Sequence, residues 1–436
     1  MSTWLLPSAD LTPQQDDIVK LSPNEHRLVL GGPGSGKTQV LVHRAAHLAE
    51  TFQVPAARYR VFVFTNVIKE YIHSGLQFIG LPDEVVCTFD HWCYLKYQEH
   101  ISRRLPRSGK SIDFLTIREG VLSLLQKRKD LQKSLDFVLV DEGQDLTTDV
   151  YRILALATHH LTVFIDPLQK IFENGAHHQA IVDTLGIRKS GWTLLGAYRN
   201  APHVAFLASH FIRDEEARTG YLEQVCSKQK VTERPLCFIA GDYEEELDRL
   251  GEIIQQRQVM NERIGIIVNS NRLVHGLAAG FEQRHIHVEK AVKVMEGRAS
   301  RVLCDFNNVM PKVATFHMAK GLTFDTVILP RLTERTFSEG LSGAAEETRR
   351  RLLFVGIARA TQWVCLSSVR GQEFQDMDIL QEAEQAGHLV IQGAEDRGSE
   401  RKKRREEADE GGKSDWRGET PVSKRNVPED DEFLVL

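Results

Sequence analysis

The segment RLVLGGPGSGKT, Arg27–Thr38, reads as a short apolar strand, a glycine-rich turn and the start of a helix. Its second part, GGPGSGKT, matches the phosphate-loop pattern in full, and a chance glycine turn is the weaker interpretation because the strand-to-helix context is the required one. Glycines at such a turn let backbone N–H groups face phosphate oxygens at the positive end of a helix. Lys37 is expected to reach the β and γ phosphates, and Thr38 to ligate Mg²⁺. The predicted phosphate site consists of Gly31, Gly32, Pro33, Gly34, Ser35, Gly36, Lys37 and Thr38.

Apolar runs of strand length recur along the chain and alternate with helical stretches. Such runs indicate a parallel sheet covered on both faces, so the predicted fold class is α/β. The runs are YRVFVFT, EVVCTF, SLDFVLVDE, LTVFID, WTLLG, LCFIA, IGIIV, PKVATF, FDTVILP and WVCLSS. Because they are too many for one sheet, two parallel-sheet lobes are predicted, at 1–193 and 194–370. Residues 371–395 are predicted to add a helix and a strand, and the highly charged residues 396–436 to form a disordered tail.

The overall composition is that of an ordinary globular protein, with 42% hydrophobic and 26% charged residues among 436. A net charge of −5 excludes a protein that coats nucleic acid with an overall basic surface. Any nucleic-acid site must therefore be a local positive groove. The six cysteines form no Cys-x-x-Cys pair, which argues against zinc ribbons and disulfide scaffolds and fits a reducing compartment. No apolar run is long enough to span a bilayer and no secretory signal is recognisable, so we expect a cytoplasmic location and no membrane partner.

Acidic residues follow the most apolar of these strands, in VDEGQDL, Val140–Leu146. A phosphate loop needs a carboxylate at the end of a neighbouring strand to hold Mg²⁺, and Asp141, directly after FVLV, is placed for that role. Glu142 is placed to orient and deprotonate an attacking water. A lone Asp-Glu pair is usually a solvated turn. Here the buried strand before it and the phosphate loop upstream favour a catalytic site.

The pattern Asp-Glu-x-Gln-Asp at residues 141–145 resembles the second motif of the UvrD/Rep-type superfamily 1 helicases. Other segments resemble further motifs of this family and follow the family's order along the chain. They are LTPQQ, VFVFTN, CTFDHW, FIDPLQKIF, GAYRN, VATFHMAKGLTFDTVIL and RRRLLFVGIARAT. The resemblance therefore covers most of the chain from Leu11 to Thr361. It implies two RecA-like lobes with an ATP site in the cleft between them.

For the first lobe, the resemblance implies roles at the base and at the γ-phosphate. Gln15 would read adenine. Gln169 would sense the γ-phosphate, and Asp166 would help to couple the two lobes. Tyr198, from the fourth motif at the start of the predicted second lobe, would also lie near the base. ATP and Mg²⁺ are therefore the expected cofactors.

The second lobe would complete the site with positive charge. The resemblance implies that Arg199 and Arg359 approach the γ-phosphate, Arg359 as an arginine finger, and that Gly321 lines the site. Guanidinium groups across a cleft stabilise charge on the transferring phosphoryl group only when the lobes close. Hydrolysis is therefore expected to be coupled to lobe motion.

A further set of motif residues would contact single-stranded DNA lying across both lobes. Hydroxyls and backbone amides suffice for phosphate contacts, so no strongly basic patch is needed. The two histidines of the set are as readily explained as structural histidines. The residues implied are Thr65, Asn66, Thr88, Phe89, His91, Phe172, Thr315 and His317.

Three departures from the family pattern weaken a processive helicase more than an ATPase. The accessory insertions usual in the family are reduced to small segments. After Gln169 and Phe172 the chain has Glu173–Gly175 where the family usually places an aromatic residue and an arginine, so a stacking platform of roughly 1–3 kcal/mol per base is missing. Thr323 stands where the family commonly has a glutamate that meets the ribose.

Two functions of different kinds remain open from the sequence. The first is a DNA-stimulated ATPase and translocase, with the 3′-to-5′ polarity that the family implies. The alternative is an ATP-gated regulatory subunit that senses single strands or duplex ends and switches a partner such as a nuclease, for example in antiviral defence. The tail end, PEDDEFLVL, is a candidate docking peptide for such a partner. A phosphate-loop kinase is disfavoured because it needs neither the paired arginines nor the Gln144–Asp145 signature.

Overall fold

The computed structural model describes residues 4–76, 78–109, 111–166, 176, 178–187, 191–194, 200–225, 233–296, 299–302, 304–306, 308–338 and 345–393. These residues belong to one compact unit, Met1–Gly393. None of the described helices has the length and apolar character needed to cross a bilayer.

The described strands and helices alternate along the chain as expected for an α/β protein. The strands are β1 (Arg27–Gly31), β2 (Tyr59–Val63), β3 (Val86–Thr88), β4 (Arg107–Ser108), β5 (Ser111–Ile112), β6 (Leu135–Val140), β7 (Thr158–Ile165), β8 (Trp192–Leu194), β9 (Leu236–Ala240), β10 (Ile264–Val268), β11 (Glu289–Lys290), β12 (Lys293–Glu296), β13 (Ala299–Val302), β14 (Lys312–Thr315), β15 (Phe324–Leu329), β16 (Ala360–Val369) and β17 (Val390–Gly393). The helices are α1 (Pro13–Val19), α2 (Lys37–Thr51), α3 (Asn66–Leu76), α4 (Phe89–His100), α5 (Phe114–Lys127), α6 (Thr148–Ala157), α7 (His178–Leu185), α8 (Pro202–Ser209), α9 (Glu215–Val225), α10 (Tyr243–Val259), α11 (Asn271–Glu282), α12 (Phe316–Ala319), α13 (Glu334–Ser338), α14 (Ala345–Ile357) and α15 (Met377–Gln385).

The first sheet is parallel, with the strand order β3-β2-β6-β7-β1-β8. Its central strand β6 pairs with β7 from Leu135 opposite Thr158 to Val140 opposite Val163. All residues of β6 except Asp136 are buried, because helices cover both faces of the sheet. The carboxyl end of β6 therefore carries its acidic residues to one edge of the sheet, beside the phosphate loop that follows β1.

The second sheet is also parallel, with the strand order β11-β14-β10-β15-β16-β9-β17. Its last strand, β17, lies in the segment 371–395 together with α15 and pairs with β9. The parallel α/β class predicted from the apolar runs is confirmed. The lobe boundary near residue 194 stays a prediction, although β8 belongs to the first sheet and β9 to the second.

Two short antiparallel pairs, β4 with β5 and β12 with β13, were not expected from the sequence. Strands of two to four residues are too short to show an alternating pattern. The predicted tail lies outside the described residues.

A fully buried arginine, Arg44, fastens helix α1 to the first sheet. Its guanidinium lies within 2.8–3.1 Å of five partner atoms, none of which carries a negative charge. Burial lowers its pKa to about 9, so the group remains charged at neutral pH. The partners are the carbonyl oxygens of Ile18, Val19 and Leu21, the hydroxyl of Thr162 and the ring of His160.

We expect Arg44→Met to lower the free energy of unfolding by about 2–4 kcal/mol, because it removes the buried Arg44 donors from the carbonyls at the end of α1 and from the polar groups of β7. Urea unfolding measures the change. Arg152→Met is the matched control, because Arg152 is exposed on α6 and forms a surface ion pair with Asp149. The control should shift stability by no more than about 0.5 kcal/mol. Equal stability of the two variants would show that Arg44 does not hold α1 in place.

Candidate functional site

The phosphate loop connects β1 to α2 in a conformation that depends on glycine. Gly34 and Gly36 have φ values of 73° and 84°, in the left-handed region. A Cβ on Gly36 would also lie 2.5 Å from Nε2 of Gln15. Within the described residues the buried hydroxyl of Ser35 has no hydrogen-bond partner. An unpaired buried hydroxyl in a glycine loop at a helix N-terminus fits a phosphate group.

Lys37, the first residue of α2, points back into this loop. Its Nζ donates to the carbonyl oxygens of Gly31 at 2.8 Å and Gly32 at 3.0 Å. It also pairs with Asp166 Oδ2 at 3.1 Å, at the end of β7. The structure thus places a buried cation at the centre of the loop, with the third-motif aspartate beside it.

The two predicted magnesium ligands lie together at the ends of neighbouring elements. Thr38 Oγ1 donates to Asp141 Oδ2 at 2.9 Å, and Asp141 Oδ1 accepts from the backbone N–H of Glu142 at 3.0 Å. Burial and the adjacent Glu142 raise the pKa of Asp141 to about 6, although the Thr38 hydrogen bond opposes the shift. Mg²⁺ is usually held by one or two protein oxygens together with water and substrate phosphates, so this hydroxyl–carboxylate pair fits the ion.

Glu142 is held in an unusual backbone conformation by polar contacts. Its φ is 50°, which is uncommon for a residue with a side chain and is often found where function requires it. Gln144 Nε2 donates to Glu142 Oε2 at 2.5 Å, and Gln144 Oε1 accepts from the backbone N–H of Asp166 at 3.0 Å. Burial favours a raised pKa for Glu142, but positive charge from Lys320, Lys37 and Arg359 outweighs it and the pKa is lowered. Glu142 is therefore ionised and able to accept a proton.

Lys320 lies in the segment that resembles the family's fifth motif, next to the second sheet. It pairs with acidic residues that follow strand β6 of the first sheet. It lies after α12 and is 1% exposed. Its Nζ pairs with Asp145 Oδ2 and lies 3.8 Å from Glu142 Oε2. Sequence reasoning assigned Lys320 to a motif but gave it no role. The residues that pair are 175 positions apart, so no local pattern signals the contact.

Arg359, just after α14, brings a guanidinium from the second sheet into the same cleft. It is 6% exposed and donates to the carbonyl oxygens of Val355 at 3.1 Å and Leu322 at 3.4 Å. Burial lowers its pKa, which the carboxylates of Glu142 and Asp166 partly oppose. A cavity of about 440 Å³, including its open mouth, is lined by residues of both sheets. They include Lys37, Thr38, Glu142, Gly321, Thr323 and Arg359.

Gln15 supports the loop in this structure. Its Oε1 accepts from the backbone N–H of Thr12 at 3.0 Å, which caps α1. Its Nε2 donates to the carbonyl oxygen of Ser35 at 3.1 Å. The predicted adenine contact of Gln15 stays a prediction. Four other predicted site residues lie outside the described residues, namely Gln169, Phe172, Tyr198 and Arg199.

Comparison with known proteins finds matches in two segments of the chain. The model of the UvrD/REP helicase N-terminal domain matches residues 11–108, and that of the UvrD-like helicase C-terminal domain matches residues 300–371. Two segments of the chain therefore match the UvrD/REP helicase family.

Individual relatives of the family match shorter stretches. A probable DNA helicase II homolog of Rickettsia conorii is 35% identical over 116 residues, which cover 25% of this chain and 17% of that protein. DNA helicase II of Rickettsia typhi is 35% identical over 112 residues, covering 24% of this chain and 16% of the relative. The match therefore spans less than a fifth of these relatives' length. The solved C-terminal domain of a possible DNA helicase from Lactobacillus plantarum is 17% identical and covers 44% of this chain and 98% of its own, but its TM-score of 0.32 is too low to add to the fold assignment.

Three threonines expected to contact DNA have one structural role in common. Thr88 and Thr315 end parallel strands, Thr65 lies two residues after one, and each accepts a hydrogen bond from the first turn of the helix that follows. Thr65 Oγ1 accepts from the N–H of Ile68 at 3.2 Å, and Thr88 Oγ1 from that of His91 at 3.3 Å. Thr315 does the same for Met318 in the second sheet, at 3.3 Å. A capping hydroxyl keeps its own hydrogen, so each threonine can still donate to a phosphate.

The other residues predicted to contact DNA differ in their surroundings. Asn66 begins α3 directly after Thr65, and His91 and His317 are exposed. Phe89, in contrast, is 3% exposed and packs on Phe62 and Trp92 in the core of the first sheet. The structure therefore places Phe89 in a core position, because its ring is the first apolar side chain of α4 and faces the sheet.

Proposed function

We propose that the chain is a nucleic-acid-stimulated ATPase that couples hydrolysis to closure of two lobes on single-stranded DNA. The observation that carries the proposal is one cavity lined by Lys37 and Glu142 from the first sheet and by Arg359 from the second. Phosphoryl transfer needs a positioned nucleophile and fixed positive charge around the transferring group, and this arrangement offers both. The two segments that match UvrD/REP helicase domains support the same reaction.

The proposed division of labour follows from the contacts. The loop N–H groups, the Ser35 hydroxyl and Lys37 would hold the phosphates. Thr38 and Asp141 would hold Mg²⁺, which supplies charge neutralisation on the phosphate oxygens. Glu142, ionised and fixed by Gln144, would orient the attacking water and take its proton.

Coupling between the sheets would run through the same residues. Lys320 pairs with acids that follow a first-sheet strand, and Arg359 interacts electrostatically with Glu142, so the charge around Glu142 depends on where the second sheet lies. Loss of the γ-phosphate would remove an anion that both sheets contact, and the balance between closed and open lobes would change.

The direct test is the rate of ATP hydrolysis measured alone and with single-stranded DNA, duplex DNA or RNA. We expect hydrolysis that requires Mg²⁺ and is stimulated most by single-stranded DNA. A strand-displacement assay on the same preparation distinguishes a helicase from an ATP-gated regulatory subunit. Stimulated hydrolysis without displacement would favour the regulatory subunit that acts on a partner such as a nuclease. Absence of hydrolysis with every nucleic acid would refute the proposal.

The threonine caps allow a sharp test of the proposed DNA surface at Thr88, which is partly exposed. Thr88→Asp should keep α4 capped, since aspartate is an N-cap residue at least as good as threonine, but its charge would repel a DNA phosphate. We expect its affinity for single-stranded DNA to fall roughly tenfold or more, measured by fluorescence anisotropy at constant salt.

Thr88→Ser is the matched control for that variant. Serine keeps both the capping acceptor and the hydroxyl donor, so DNA affinity should stay close to that of the unmodified protein. If Thr88→Asp bound single-stranded DNA with wild-type affinity and unfolded at the same midpoint, Thr88 would cap α4 but would not contact DNA.

A cytoplasmic location is part of the proposal. It is supported by the free thiols of the described cysteines, which fit a reducing compartment. These are Cys87, Cys93, Cys237, Cys304 and Cys365.

A further inference from the structure

A second cavity adjoins the phosphate-loop cavity. It spans about 460 Å³ when the open space at its mouth is counted. Trp4, Tyr71 and Thr323 line both cavities, so they stand at the junction. The second cavity continues along Phe306, Leu322 and Phe324. A ligand with its phosphates at the loop would therefore extend past Thr323 towards an aromatic wall.

Trp4 packs against helix α3 through several contacts. Its indole stacks on Tyr71 of α3, with ring centroids 4.5 Å apart and planes inclined by 25°, and its Nε1 donates to Ser74 Oγ at 3.1 Å. The ring also lies over Gly75, where a Cβ would come within 3.0 Å of the indole. Glycine at position 75 is thus what lets the indole lie close against α3.

The backbone of the same segment is fixed to the helix that begins at the phosphate loop. Gln39 Nε2 donates to the carbonyl oxygen of Trp4 at 2.5 Å, and Gln39 Oε1 accepts from the N–H of Leu6 at 3.0 Å. His43 Nε2 lies 2.9 Å from the carbonyl oxygen of Leu6. These contacts hold Trp4 in a fixed position relative to the loop.

The second sheet's side of the pocket adds another aromatic ring. Phe306 meets Tyr71 edge-on, with centroids 5.5 Å apart and planes at 84°. Trp4, Tyr71 and Phe306 therefore form a continuous aromatic series from the segment before α1 to the segment before β14. By contrast, both ends of the Gln15 amide are engaged by Thr12 and Ser35.

We infer that Trp4, supported by Tyr71 and faced by Phe306, is the platform for the base of a nucleoside triphosphate. This rests on the proposed function, because it requires the triphosphate to occupy the loop. Stacking tolerates any base, since every base has a π face, so the platform supplies affinity with weak discrimination between ATP and GTP.

The test compares a nucleotide with its phosphates alone. Dissociation constants for ATP, GTP and inorganic tripolyphosphate, all with Mg²⁺, are measured by calorimetry on the full chain. For Trp4→Ala we expect a loss of roughly tenfold or more in affinity for ATP and GTP alike, and unchanged affinity for tripolyphosphate. Trp4→Phe should recover most of the loss, because an aromatic ring remains.

Gly75→Ala provides a second variant that keeps the indole but displaces it, and it should reproduce the selective loss of nucleotide affinity. Equal losses for ATP and tripolyphosphate in Trp4→Ala would assign Trp4 to holding the loop and overturn the inference, as would no loss for either. Failure of the unmodified protein to bind both ATP and tripolyphosphate would instead refute the proposed function, so the two failures are distinguishable.

Discussion

Glu142→Gln is expected to reduce ATP turnover by about 10²–10⁴-fold while ATP stays bound. The substitution removes the proton acceptor but keeps the size and hydrogen-bonding capacity of the side chain. Gln144 can still bond to an amide at this position, and Lys320 keeps its ion pair with Asp145. The site should therefore remain assembled, and single-turnover hydrolysis and equilibrium ATP binding would be measured on the same sample.

Lys37→Ala should behave differently, because it removes a cation from the loop itself. We expect both turnover and ATP affinity to fall, whereas Glu142→Gln loses turnover alone. Glu50→Gln, an exposed glutamate on α2, is the matched control and should leave both quantities unchanged. Wild-type turnover in Glu142→Gln would exclude Glu142 as the base.

Elements with a strong local signal were predictable from the sequence. The apolar runs along the chain predicted the main strands of both parallel sheets, because a buried parallel strand must be apolar on both faces. The glycine-rich pattern predicted the phosphate loop. Short pairs such as β12 with β13 were missed, since their few residues follow no period. Helix α2 begins at Lys37, directly after the glycine-rich turn, as the strand-turn-helix pattern predicts.

Side-chain contacts between distant parts of the chain were beyond sequence reasoning. The pairing of Lys320 with Asp145 depends on how the two sheets meet, which no spacing along the chain records. Phe89 is a further example. Its motif position implied a contact with DNA, which stays a prediction, while the structure places its ring in the core of the first sheet. Trp4 was not singled out because a lone aromatic residue near a phosphate loop carries no pattern.

Arg359→Ala is expected to lower turnover by about 10³-fold or more, with ATP affinity changed only slightly. The phosphate loop and its bound phosphates belong to the first sheet, so binding should survive loss of a second-sheet residue. The guanidinium is placed to act on charge that develops as the phosphoryl group transfers, an effect confined to the transition state. A loss of kcat and kcat/KM by the same factor is the kinetic signature of such a residue.

The variant also removes a buried side chain, so its stability must be measured beside its activity. Arg359 donates to the carbonyl oxygens of Val355 and Leu322, and alanine leaves both without this donor. Arg351→Ala is the matched control, because Arg351 lies on the preceding helix α14 and pairs with Glu347 outside the cleft. Arg359→Lys keeps the charge but not the planar fork, and should restore only part of the rate. If ATP affinity and turnover fell together in Arg359→Ala, with a matching loss of unfolding free energy, Arg359 would be holding the sheets together and its role as a finger would be wrong.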